Sequence, residues 1–213
     1  MKPLAESFST VIAGQWNPNI FKPDWVKGHL TTDDNQPAEV AFPIGDPSLP
    51  PRIRVNNVFI FPSSSRLDIR AEELTKENLQ STGEVAKKCL ELLTHTPISA
   101  LGVNLGFTTA ADDAPSIIKL FSFDDDAKID SGAFKLQGAE IKRSFKQADC
   151  ILNLNITYNT TDVKIEFNFH FDIQNAEQAI QQIDQSIELD LYSRAEQLLK
   201  DIYGLEIEEI EGD

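Results

Sequence analysis

Cysteine, methionine and histidine are scarce in this chain of 213 residues, which holds two, one and three of them. Cys89 and Cys150 form no CxxC pair and each falls at an apolar position, so the sequence predicts reduced core thiols rather than a disulfide framework. His29, His95 and His170 form no HExxH or HxH pattern and join no Cys/His cluster, which argues against zinc. GxGxxG and GxxxxGK[ST] are missing, and with them a sequence signature for bound phosphate. No GxSxG elbow presents a nucleophilic serine, and Ser63 to Ser65 read as turn residues. No catalytic residue, cofactor or metal is therefore assigned. No run of about 18 apolar residues is present to span a membrane. The stretch MKPLAESFSTVIAGQW contains Glu6 and lacks the unbroken apolar segment of a secretory signal, so a cytoplasmic protein is expected. In that setting the sequons at Asn155 and Asn159 read as chance.

Positive charge is also in short supply. Nineteen lysines and arginines face 34 aspartates and glutamates, giving a formal charge of −15 and a pI near 4.5. Such a field repels phosphate backbones and anionic bilayers, so neither nucleic acid nor membrane is expected as a partner. An acidic surface can also mimic DNA, but solubility is the simpler account of it. The run Asp124, Asp125, Asp126 with Asp130 and Gly132 invites a calcium reading. Lys128 breaks the alternating ligand spacing and no glutamate closes the loop, so a solvated loop is expected. Asp112 and Asp113 before Pro115 read as a helix-start signal.

Periodicity supplies the fold class. Val163, Ile165, Phe167, Phe169 and Phe171 alternate with Lys164, Glu166, Asn168, His170 and Asp172, which is a strand with one core face and one solvated face. Cys150 to Tyr158 forms its hairpin partner, and Phe134 to Gln147 reads as an extended pair. Arg52 to Arg70 alternates around turn signals at Asn56, Asn57 and Pro62 to Ser65, and Phe8 to Trp16 is a further strand. Residues 31–51 read as a loop with one short extended piece, Glu39 to Phe42. Apolar residues three and four apart predict amphipathic helices over Thr75–Leu93 and Ala176–Tyr203, the latter carrying Ile180, Ile183, Ile187, Leu191, Leu198, Leu199 and Ile202. The class is α+β: a mostly antiparallel sheet with two long helices.

Residues 1–97 and 98–213 share one order of elements, which predicts an internal β-α-β-β-α repeat, a pseudo-dimer packed as one unit. A shift of 92 residues superposes Val11 on Val103, Gly14 on Gly106, Pro23 on Pro115 and Lys27 on Lys119. Gly102 and Gly106 of the segment THTPISALGVNLGF then mark a bulge or a close backbone approach in a strand. The element order, the SRLDIR hairpin end and the HTPISALGVNLGF junction resemble uncharacterised, sporadically distributed bacterial protein families of unknown function. The resemblance covers roughly the first 110 residues and implies no catalytic residue.

Two classes of function stay open at this point. One is a non-catalytic interaction or assembly protein that binds itself, as a homo-oligomer, or a protein partner through its sheet. The other is an enzyme of unrecognised type, such as a hydrolase with a site assembled from scattered Asp, Glu and His residues. Four of the six arginines, Arg52, Arg54, Arg66 and Arg70, lie in the first hairpin region, and even separations place each pair on one strand face. They are the candidate partner-binding residues. The simpler alternative is cross-strand pairing with Asp68 or nearby glutamates.

Overall fold

The structure is a computed structural model that describes residues 1–31, 38–41, 50–55, 57–123, 125, 129, 134–147, 150–184 and 187–210. Its strands are β1 (Lys2–Pro3), β2 (Ser9–Gly14), β3 (Glu39–Ala41), β4 (Arg52–Val55), β5 (Val58–Pro62), β6 (Arg66–Ala71), β7 (Ile98–Ala110), β8 (Ala139–Lys146), β9 (Ile151–Tyr158) and β10 (Asp162–Asp172). The helices are α1 (Pro23–Leu30), α2 (Lys76–Leu92), α3 (Pro115–Ile118), α4 (Ala176–Ile183) and α5 (Ile187–Tyr203). The fold is α+β.

Every strand pairing is antiparallel, and the strands form one continuous sheet in the order β3-β4-β5-β6-β2-β7-β10-β9-β8, with β1 extending β2's side of β7. Period-2 alternation decides which side chains go inward. Ile53 and Val55 of β4, Val58 and Ile60 of β5, Leu67 and Ile69 of β6, and Ile12 of β2 are buried. Across the seam Leu101, Val103, Leu105 and Phe107 of β7 meet Ile165, Phe167, Phe169 and Phe171 of β10. The helices cover this inner face. Leu79, Val85, Ala86, Cys89 and Leu90 of α2 are buried, as are Leu191, Ala195 and Leu199 of α5. Thr75 starts α2 by accepting a hydrogen bond from the Asn78 N–H at 3.1 Å, and Asn175 starts α4 in the same way from the Gln178 N–H at 2.9 Å.

Some elements depart from the sequence reading. The expected extended pair over 134–147 is one strand, β8, whose partner is β9. The stretch read as a single helix from Ala176 is two, α4 and α5, so that α4 lies on α2 while α5 lies across both α2 and β7. Ile202, read as part of the apolar face, is 63% exposed. Asn56, Phe42, the carboxylates Asp124, Asp126 and Asp130, and the last residues of the acidic tail lie outside the described residues.

Gly106 has a definite task. The amino-terminal segment crosses β7 at this point, with the Leu4 N–H donating to the Gly106 carbonyl at 2.8 Å, and a Cβ on Gly106 would stand 2.3 Å from the Ser7 Cβ. No side chain fits there.

Phe167 is 1% exposed and sits edge-on to Phe107 and stacked on Phe169, with ring centroids 5.9 and 6.3 Å apart. Phe167→Ala should therefore lower stability by about 3 to 5 kcal/mol in denaturant melts. A loss near 1 kcal/mol would show that this aromatic layer does not hold β7 to β10.

Candidate functional site

The described helices pack on the inner face, so the alternate residues of the strands are left on an outer face. At the β3–β6 end one row across the sheet reads Glu39, Arg54, Phe59, Arg70. All four arginines singled out from the sequence stand on this face, and two of them are held by carboxylates. The Arg54 guanidinium donates to Glu72 at 2.8 and 2.9 Å and lies 3.7 Å from Glu39. Arg70 grips the buried Asp68 with two bonds, at 3.0 and 2.7 Å. These hydrogen bonds raise the pKa of both guanidiniums and keep them charged. Arg70 and Asp68 are neighbours on one strand rather than a cross-strand pair. Arg52 stacks 3.6 Å over the Phe59 ring and Arg70 lies 5.2 Å from the Phe61 ring centre. Arg66 is exposed and, among the described residues, makes no ion pair. A concavity of about 430 Å³ opens between Arg52, Arg54, Phe59 and Glu72.

Toward the other end the outer face carries a row that the sequence reading did not identify. Ser9, Asn104, Asn168, Asn153 and Ser144 stand directly opposite one another on β2, β7, β10, β9 and β8. Ser144 Oγ donates to Asn153 Oδ1 at 2.7 Å, and the Asn153 amide donates to Asn168 Oδ1 at 2.9 Å. The Asn168 amide then donates to Asn104 Oδ1 at 2.7 Å, and the Asn104 amide to Ser9 Oγ at 2.9 Å. Each asparagine spends one N–H of its two on this ladder. The ladder residues line a concavity of about 520 Å³, together with Lys142, Asn155 and Glu166. Lys142 and Asn155 hydrogen bonds hold the Glu140 carboxyl below its ordinary range.

Chemistry of other kinds is placed elsewhere. His29 stacks on Trp25 and bonds its carbonyl at 2.8 Å, and His170 pairs with Asp172 at 3.2 Å. His95 is exposed at the end of α2. Among the described residues no group of three or more His, Cys, Asp or Glu side chains is arranged to hold a metal ion. No helix among them is long and apolar enough to cross a membrane. Cys89 is fully buried and its thiol is pushed up to about 12 by desolvation. No family model, curated protein or solved structure matches the chain.

One buried acid stands apart. Glu188, in the first turn of α5, is 4% exposed and accepts from Thr10 Oγ1 of β2 at 3.0 Å. Gly83 of α2 makes room for it: a Cβ there would lie 2.7 Å from the carboxylate. Desolvation pushes its pKa up to about 7, while the Thr10 bond pulls the other way. The acid lies between sheet and helices and lines none of the concavities above, so its titration acts on packing. In the folded chain Glu188 keeps its proton to about pH 7, whereas the unfolded chain releases it near 4.5. Stability from this group is thus present below about pH 4.5 and lost as pH rises to 7, by up to roughly 3 kcal/mol. Glu188→Gln should be more stable than the wild type in denaturant melts at pH 8, with a smaller advantage at pH 5. An advantage that does not change with pH would refute the assignment.

Proposed function

We propose that this chain is a non-catalytic interaction and assembly protein of the cytoplasm that binds a protein partner or a second copy of itself through the outer surface of its sheet. The observation that carries the reading is that, among the described residues, the helices cover one face of a continuous ten-stranded sheet. The other face presents guanidiniums over aromatic rings at one end and the asparagine ladder at the other. Arg52, Arg54, Arg66 and Arg70 then meet an acidic surface. Arginine forks carboxylates in two-bonded geometry, and arginine with aromatic neighbours is the composition of interface hot spots. A separate protein fits this better than the acidic tail of a second copy. In each chain Leu205 is buried and the Glu208 N–H donates to the Met1 carbonyl at 2.8 Å, which ties the tail to its own amino terminus.

We also infer that residues 1–97 and 98–213 are two repeats, each closed by a long amphipathic helix. The sheet order supports this. Reading outward from the β2–β7 seam gives β2-β6-β5-β4 on one side and β7-β10-β9-β8 on the other, the same connectivity related by a pseudo-two-fold. In each half a helix opened by proline, Pro23 or Pro115, follows the seam strand. An interaction surface built from two copies of one unit has two similar ends, and the first repeat has put arginines where the second has put asparagines.

Arg52 and Arg66 make the cleaner test, because Arg54 and Arg70 are held by internal carboxylates. Arg52→Glu with Arg66→Glu should weaken association, read by sedimentation and cross-linking in native extract, by about tenfold or more. Surface changes of this kind should shift the melting temperature by no more than about 2 °C. Wild-type association profiles in the double variant would remove the arginines from the interface.

A further inference from the structure

At the far end of the sheet β8 has one strand neighbour, β9, and among the described residues nothing pairs with its other edge. The Gln147 N–H donates to the Cys150 carbonyl at 2.8 Å. By antiparallel alternation residues 139, 141, 143 and 145 turn their backbone groups toward β9, and Glu140, Lys142, Ser144 and Lys146 turn theirs outward. Four residues thus offer unpaired N–H and C=O groups in strand geometry, a ready template for another strand.

Beside this edge, on the helix side, a groove of about 460 Å³ runs between β8, β9 and the last turns of α5. Its apolar surface includes Leu152, Leu198, Phe145 and Ile202, the last two 46% and 63% exposed. Three cations complete it: Arg143, Lys146 and Arg194. No carboxylate among the described residues lines it, in a chain whose acids outnumber its bases 34 to 19. Arg143 donates to the Tyr203 hydroxyl at 2.7 Å, yet its Nε–H is buried and finds no acceptor. Arg194 donates to the neutral Gln147 side chain at 2.9 Å. Neither arginine is neutralised among the described residues.

We infer that the β8 edge and this groove receive an extended segment of a partner protein in which apolar and acidic residues alternate, an inference that rests on the reading of the chain as an interaction protein. Added as an eleventh strand, such a segment pairs its backbone with the outward groups of β8. Its side chains alternate between the two faces: apolar ones fall on the helix side against Phe145 and Ile202, within the positive field of Arg143 and Arg194, and carboxylates fall on the outer side toward Lys142 and Lys146, which leave β8 on that face by the same alternation. A second copy fits poorly. Antiparallel pairing of two β8 strands brings two copies of the same cationic groove side by side, and about a two-fold at residue 142 or 144 it also sets Lys142 on Lys142 or on Lys146, where like charges repel.

The test uses the full chain and three labelled synthetic peptides, read by fluorescence anisotropy: a short peptide alternating valine with glutamate, its scrambled isomer, and the same alternation with lysine. The alternating acidic peptide should bind at least about tenfold more tightly than either control, with an affinity that falls as salt rises. Ser144→Pro removes an outward donor that β9 does not use, and should abolish binding while the melting temperature holds. Arg194→Glu with Ile202→Glu, at a half-buried and an exposed position, should do the same through the groove if Ser144→Pro disturbs the strand. Equal affinity for the three peptides, or binding untouched by the groove variant, overturns the inference. So does a wild-type dimer that Ser144→Pro dissociates, which would assign the edge to a second copy. Failure of the peptide while association through the arginine face persists removes the edge inference alone and leaves the interaction reading standing.

Discussion

The rest of the molecule hangs on β7. It pairs with β10 from Ala100 to Ala110 on one side and with β2 and then β1 on the other, so it is the strand through which both halves of the sheet are joined. Its inward residues Leu101, Val103, Leu105 and Phe107 are all buried. Burial on one face and a continuous ladder on both edges fix its register, because a slip of one residue would send that whole apolar set outward. The glycine at 106 belongs to the same constraint, since the amino-terminal segment must cross there to prolong the β2 side of the sheet.

From that register follow the two unlike surfaces. The inner face receives α2, α4 and α5, whose apolar stripes need a partner of sheet width. The outer face collects what the alternation leaves over: arginines above phenylalanines at one end, amides hydrogen-bonded in series at the other. The chain is strongly acidic as a whole, and yet the places where its bases gather are on the sheet, at the first hairpin and beside β8. The β8 edge and the face that the described helices leave uncovered thus give the protein two chemically distinct places to be touched.

Much of this was legible in the sequence wherever a rule is local. The alternation of Val163 to Phe171 needs no knowledge of neighbours, and Thr75 and the spacing of Leu79, Val85, Ala86 and Cys89 declare α2 from within. The even separations of Arg52 and Arg54, and of Arg66 and Arg70, put them on common faces. Register is not local. Ser9, Asn104, Asn153, Asn168 and Ser144 come from five strands, and their ladder exists only once all four pairings are fixed. Glu188 leaves a trace that the sequence reading passed over: it stands three, seven and eleven residues before Leu191, Ala195 and Leu199, on the buried stripe, where a glutamate is unexpected. Ile202 failed for the opposite reason, because the final turn of α5 runs on beside the groove, where no strand among the described residues covers it.

The ladder has a sense of direction. Every link donates from the β8 side toward the β2 side, from the Ser144 hydroxyl through Asn153, Asn168 and Asn104 to Ser9. Three side-chain amides are therefore aligned head to tail across the strands, at right angles to the chain itself. Backbone dipoles in a sheet largely cancel, but these do not, and oriented amides contribute fixed partial charges to the field around them. The outer face is electrically polarised along the axis that runs from β8 to β2. A visitor carrying its own dipole can lie on that face in two orientations, and the two are unequal in energy before any contact specific to the visitor is made.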